Sequence, residues 1–222
     1  MPYKYVFPDP SSADKDGLIA AGGDLSVEAL ITAYSRGIFP WFSEDSPLLW
    51  WSPDPRLVLF PDRFKASHSL QQAVMRRKYA IRFDNDFEAV IRNCAGIDRK
   101  GQEGTWITSD MQHAYCDLHY EGYAHSVESY YDGKLVGGLY GVSLGKAFFG
   151  ESMFYQMPDA SKVALFSLVE QLKKWDFHFI DAQQTTAHLK SLGAEEITRT
   201  KFLALLKTAL QYPTKRGKWA MD

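Results

Sequence analysis

Residues 125–160 read HSVESYYDGKLVGGLYGVSLGKAFFGESMFYQMPDA, and the punctuation of this stretch decides the fold. His125–Tyr131 is rich in strand formers and runs into Asp132-Gly133, a strong two-residue hairpin signal. Lys134–Ser143 and Lys146–Phe154 read as two further strands around a second tight turn at Leu144-Gly145. Asp159 is placed to cap a long amphipathic helix over Ala160–Trp175, and Phe177–Gln183 reads as one more strand. Three meandering strands, a long helix and a returning strand predict a mixed α+β sheet.

Downstream, a short helix is expected over Thr186–Leu192, closed by Gly193, and a last one over Thr200–Leu210, with a loosely held tail from Tyr212 to Asp222. Upstream, Ser67 caps a helix ending near Arg77, and Tyr79–Asp84 alternates like a strand. Asp84 or Asn85 opens a helix carrying Phe87, Val90, Ile91 and Cys94. A polar loop, Asp98–Gly104, leads to Trp106, and Thr108 or Ser109 caps a helix ending at Gly122. The first sixty residues are loop-rich and broken by prolines. One helix is well signalled there, Val27–Arg36, with Ser26 as its N-cap, Leu25 and Leu30 as its staple and Gly37 past its end. The prolines between Pro53 and Pro61 suggest a boundary, with a small N-terminal domain over 1–60 and a larger one over 61–222.

The bulk composition narrows the class. A 222-residue chain, 45% hydrophobic and 23% charged, is an ordinary soluble globular protein with a sizeable core. A net charge of −2 argues against wholesale coating of nucleic acid but leaves room for a local basic patch. Cys94 and Cys116 form no CxxC, and the six histidines show no ligand spacing, so neither a disulfide framework nor a metal site is expected. No apolar run has the length of a membrane span, and Met1–Tyr5 has no signal-peptide core, so the cytoplasm is the expected compartment.

Two acids stand out against this background. Glu151 interrupts the apolar run Ala147–Phe154, and Asp181 interrupts Phe179–Gln183. A buried, unpaired carboxylate costs several kcal/mol, so such groups are paired, neutralised or functional. Strand alternation puts Asp181 and Gln183 on one face. An acid beside an amide, with a second acid nearby, suits a site that handles an amine or a developing charge. The alternative is two structural acids satisfied by backbone groups or by an internal arginine.

Several motifs then read together: Gly22-Gly23-Asp24-Leu25, Arg36-Gly37-Ile38-Phe39-Pro40-Trp41, Trp50-Trp51-Ser52-Pro53-Asp54-Pro55-Arg56, Glu103-Gly104-Thr105-Trp106-Ile107-Thr108, Gly150-Glu151-Ser152-Met153-Phe154 and Asp181-Ala182-Gln183. In this order and spacing they resemble the leucyl/phenylalanyl-tRNA–protein transferases, from about Phe7 to about Leu210. The resemblance implies an acetyltransferase-like (acyl-CoA N-acyltransferase-like) fold for the larger domain. It implies transfer of Leu, Phe or Met from aminoacyl-tRNA to the N-terminal Arg or Lys of acceptor proteins, marking them for N-end-rule degradation. The donor is already an activated ester, so no cofactor or metal is implied.

The same resemblance assigns Asp181 and Gln183 to catalysis. There the Gln183 carbonyl would orient the acceptor amine, and Asp181 would hold the amide and stabilise the charge that develops. Glu151 would contact the cationic acceptor. Trp41 and Trp106 would meet the terminal adenosine, while Leu139, Phe148 and Leu168 would line the pocket for the transferred side chain. Arg76, Arg77 and Lys78 fall where the family carries a basic helix for the tRNA backbone, though the patch is thin. Trp50 and Trp51 read instead as packing residues.

Two rival functions remain. A coenzyme-A-dependent acyltransferase would need a glycine-bearing phosphate loop, and Tyr155-Gln156-Met157-Pro158-Asp159 has no glycine, one residue without an N–H, and an acid. A non-catalytic binding module for RNA or for protein N-termini is the other: the thin positive charge disfavours RNA, and mere binding has no need of Asp181 beside Gln183.

Overall fold

The structure, a computed structural model, describes residues 5–97 and 105–221. Residues 1–4, 98–104 (where a polar loop is expected, with the Glu103-Gly104 start of one motif) and 222 lie outside the described residues.

The N-terminal part holds β1 (Leu18–Ala21), α1 (Val27–Ser35), β2 (Phe39–Pro40) and β3 (Leu49–Trp51). Helix α1 forms where the sequence places it: the Ser26 hydroxyl accepts from the Ala29 N–H at 3.3 Å, and Gly37 takes φ +73° just past the end. The three strands make a small antiparallel sheet in the order β1-β3-β2. Strands of two to four residues carry too little alternation to be read from sequence.

The rest is built on a seven-stranded mixed sheet. Its strands are β4 (Arg56–Leu59), β5 (Ala80–Phe83), β6 (Ala124–Tyr131), β7 (Lys134–Leu144), β8 (Ala147–Tyr155), β9 (Phe179–Gln183) and β10 (Glu195–Ile197). They run in the order β10-β4-β9-β8-β7-β6-β5. Strands β8 and β9 pair in parallel, bridged by α5 (Ala160–Lys174), and the other pairings are antiparallel. The change of sheet falls at Pro53–Pro55, so the large sheet takes residues 56–59, which the sequence grouped with the N-terminal unit.

The remaining helices are α2 (His68–Met75), α3 (Phe87–Ala95), α4 (Ser109–Tyr120), α6 (Ala187–Ser191) and α7 (Arg199–Ala209). Alternate strand residues sort into two cores. Leu57, Leu139, Phe148 and Ile180 pack with Leu165, Leu168 and Leu172 of α5. Val58, Tyr140, Phe149 and Phe154 pack with Leu30 and Tyr34 of α1, Ile91 of α3, Tyr115 of α4 and Phe202 of α7. The N-terminal helix therefore shares a core with the large sheet.

One irregularity positions the site. Across β7 and β8, Tyr140 faces Ser152 and Gly141 faces Gly150, which leaves Glu151 as the extra residue of a β-bulge. The bulge also shifts parity. Phe149 and Phe154 are an odd number of positions apart, yet both enter the same core.

Three expectations are corrected. Asp86, not Asp84 or Asn85, caps α3, because the Asp84 carboxylate is engaged by His125 Nδ1 and by the backbone N–H groups of Ser126 and Trp219. Asp159 precedes α5 in the left-handed region, φ +66°, and makes no capping bond; its carboxylate pairs with Lys162 at 2.8 Å. The tail is not loose. Trp219 is 1% exposed and stacks on His125 with ring centroids 3.7 Å apart.

Candidate active site

The bulge aims Glu151 away from the β-ladder and into a pocket, where three donors meet its carboxylate. Tyr34 Oη donates to Oε1 at 2.7 Å and Gln183 Nε2 donates to the same oxygen at 2.9 Å. Tyr115 Oη donates to Oε2 at 3.1 Å, and the two phenols are hydrogen-bonded to each other. The phenols arrive from α1 and α4, whose apolar neighbours lock them in the core. Burial pushes the Glu151 carboxyl up to about 7, against the lowering effect of its three donors, and the nearby Asp181 charge adds to the rise. Burial and the Glu151 charge drive both phenols well above the usual tyrosine value, so they stay protonated and act as donors.

Gln183 ends β9 in a strained conformation. Its φ is +61°, and Gln184 N–H closes a three-residue turn onto the Ala182 carbonyl at 2.7 Å. That turn carries the Gln183 side chain to the pocket wall, while Asp181 stays in the buried layer. The same-face expectation fails for this reason. Asp181 is fully buried and is gripped by Arg56 from β4, with Nε to Oδ1 at 2.8 Å and Nη2 to Oδ2 at 2.6 Å. Asp181 Oδ1 also accepts the backbone N–H of Gln183 at 2.9 Å. It therefore holds Gln183 by the backbone and does not touch the amide, whose Nε2 donates to Glu151.

The pocket has a volume of about 510 Å3. Trp41, Trp106, Leu139, Phe148, Leu168, Glu151 and Gln183, all singled out in the sequence, line it. Met153, Leu165, Ile180 and Leu189 add to its apolar wall, and His188 of α6 also lines it. Trp51 donates Nε1–H to the Trp41 carbonyl at 2.6 Å and meets the Trp41 ring edge-on, so it supports that wall. Trp50 is buried, with its Nε1–H on the Gly22 carbonyl at 2.9 Å, in keeping with a packing role. Arg76, Arg77 and Lys78 are exposed at the end of α2 and line no part of the pocket.

Sequence reasoning missed three polar members of this region. Tyr34 and Tyr115 sit at ordinary core spacing on amphipathic helices, which hides them. Arg56 had a signal, since a cation opening the apolar run Arg56–Phe60 is as costly as an acid in one. The arrangement provides a carboxyl that changes charge near neutrality, an amide carbonyl beside it, an apolar recess and flanking indoles.

A family model described as "Leucyl/phenylalanyl-tRNA protein transferase" matches residues 58–207, and its "N-terminal domain" companion matches 23–54. The chain is similar to a leucyl/phenylalanyl-tRNA–protein transferase of Anaeromyxobacter sp. (strain Fw109-5), 56% identical over 222 residues, covering 100% of this chain and 94% of the relative. A second, of Maridesulfovibrio salexigens, is 55% identical over 215 residues, covering 96% and 90%. Among solved structures, a functionally unknown conserved protein from Staphylococcus epidermidis aligns over 82% of this chain and 68% of its own at 10% identity and a TM-score of 0.44, too distant to bear on function. The full-length relatives and the two family matches place this enzyme in the leucyl/phenylalanyl-tRNA–protein transferase family.

Proposed function

We propose that this transferase moves Leu or Phe from the ester of its tRNA to the N-terminal Arg or Lys of acceptor proteins in the cytoplasm, forming the peptide bond of an N-end-rule degradation signal. One observation carries the reading: a single pocket joins an apolar recess, two tryptophans and the Glu151–Gln183 pair.

In this reading Leu139, Phe148 and Leu168 receive the transferred side chain. Trp41 and Trp106 hold the terminal adenine, where stacking contributes about 1–3 kcal/mol per base. The donor ester is already activated, so the task is to place a neutral amine against its carbonyl. An α-amine titrates near 7.7–8.0, so roughly a tenth is neutral at pH 7. The Gln183 carbonyl accepts from that amine and aims its lone pair. Glu151 faces the cationic acceptor. Asp181 serves the same step as a positioning residue, through the Gln183 backbone. Arg76, Arg77 and Lys78 offer contacts to tRNA phosphates. The β6–β7–β8 meander with α5 and the parallel β9 supports an acetyltransferase-like architecture for this part of the chain.

Incubation with labelled Leu-tRNA or Phe-tRNA and peptides led by Arg, Lys or Ala tests the proposal. Transfer to the Arg and Lys peptides, with little to Ala, is expected. Equal use of the Ala peptide removes the anionic acceptor site, and an undischarged ester removes the activity.

A further inference from the structure

If an α-ammonium reacts in this pocket, it must lose a proton there, and the site has a place for one. Tyr34 Oη, Tyr115 Oη and the Glu151 carboxylate form a closed triangle, with Oη–O separations of 2.7 Å and 3.1 Å along two edges and a phenol–phenol hydrogen bond along the third. Each phenol brings one proton. Three edges need three protons. With Glu151 ionised, one edge is empty. One added proton on Oε2 completes a ring in which Glu151 donates to Tyr115, Tyr115 to Tyr34 and Tyr34 back to Oε1, while Gln183 Nε2 also donates to Oε1.

We propose that Glu151, held by Tyr34 and Tyr115, is the proton acceptor of aminoacyl transfer. The proposal rests on the function given above and adds the identity of the base. The acceptor α-ammonium passes one proton to Glu151. Its freed lone pair attacks the ester carbonyl carbon, and the new C–N bond forms. The C–O bond to the ribose breaks with its electron pair, and a second proton from the nitrogen goes to that oxygen. The third stays on the peptide nitrogen, and Glu151 returns its proton to water.

The groups facing Glu151 are consistent with this. Tyr34 approaches from α1, Tyr115 from α4 and Gln183 from β9, while Tyr140 of β7 and His188 of α6 share the pocket. Asp181 lies near enough to add negative charge, and its own partner Arg56 is committed to it. Burial of Glu151 is the largest influence and holds the carboxyl near 7, so proton uptake and release are both close to balanced at neutral pH.

The test compares the wild-type chain with Glu151→Gln across pH, using Phe-tRNA and an Arg-led peptide. In the wild type, kcat/KM should rise through a limb near 7 from Glu151 and then stay level, because above the α-amine value of about 7.7–8.0 the amine is already neutral. Glu151→Gln should lose the limb near 7, rise instead with the α-amine value to a plateau, and fall up to about tenfold at pH 7, where roughly a tenth of the amine is neutral. With hydroxylamine, an amine already neutral at pH 7, the two proteins should discharge Phe-tRNA alike. Tyr115→Phe removes a donor to the carboxylate and should move the acid limb to higher pH.

Melting provides a second readout. The Gln amide can fill the empty edge, so Glu151→Gln should match the wild-type melting temperature at pH 5 and exceed it at pH 8. A uniform loss at every pH and with hydroxylamine, or a lower melting temperature at both pH values, overturns the inference. No transfer by the wild-type chain overturns the proposed function itself and this base with it.

Discussion

At the scale of single residues, the Arg56–Asp181 pair separates structure from chemistry. Both side chains are all but sealed from water, at 1% and 0% exposure, and Arg56 also lies over the Phe39 and Phe202 rings. Removing one partner leaves the other charge buried, which costs about 3–5 kcal/mol. Asp181→Ala should therefore lower the urea midpoint markedly and reduce transfer, because the Gln183 N–H also loses its acceptor. Gln183→Ala should reduce transfer with a midpoint near the wild type. Equal midpoints for the two variants would contradict this division. The site was legible where chemistry broke an apolar pattern, as at Glu151 and Asp181. It was illegible where polar atoms sat at the tips of core side chains, as in Tyr34 and Tyr115, whose rings keep the helical period. The separation of Asp181 and Gln183, one in the buried layer and one on the pocket wall, was also hidden, because it depends on a positive φ at Gln183 that no residue type announces.

At the scale of elements, the bulge in β8 depends on close approach from β7. A Cβ added at Gly141 would stand 2.2 Å from the Phe149 carbonyl oxygen and 2.6 Å from the Phe148 ring. At Gly150, on the other side of the same irregularity, the nearest atom is 3.7 Å away, an ordinary contact. Gly141→Ala should destabilise by about 1–3 kcal/mol or more, as overpacking does, while Gly150→Ala should melt near the wild type. Thermal unfolding of the two variants checks the contrast, and a tolerated Gly141→Ala would place the strain elsewhere. The long elements were readable because strong turn chemistry bounds them. Asp132 and Gly133, at φ +48° and +71°, make the hairpin their sequence announces. The strands β1, β2, β3, β4 and β10 were not, since each is short and owes its pairing to partners distant in the chain.

At the scale of the whole molecule, the tail closes the structure. Trp219 donates its backbone N–H to Asp84 at 2.7 Å, and its ring covers His125 and meets Trp175, Phe177 and the pocket residue Phe148. Trp219→Ala should cost about 3–5 kcal/mol. Burial holds His125 below its usual 6.5, against the raising effect of Asp84. The unfolded chain then binds the extra proton first, so this group's support for the fold is lost as pH falls below about 6.5. Exposing His125 relieves that penalty, and the deficit of Trp219→Ala should be smaller at pH 5.5 than at pH 7.5 in urea titrations. An equal deficit at both would mean His125 titrates freely. The tail was misread because a lone tryptophan among polar residues gives no period to follow.

Strand β4 also bears on how relatives of this enzyme could be recombined. It sits between β9 and β10 and brings Arg56 to Asp181. A splice at Pro53–Pro55 hands over the small sheet as a cassette and leaves the large sheet intact. A splice after residue 60 would import a foreign inner strand and, with it, whatever residue must face Asp181.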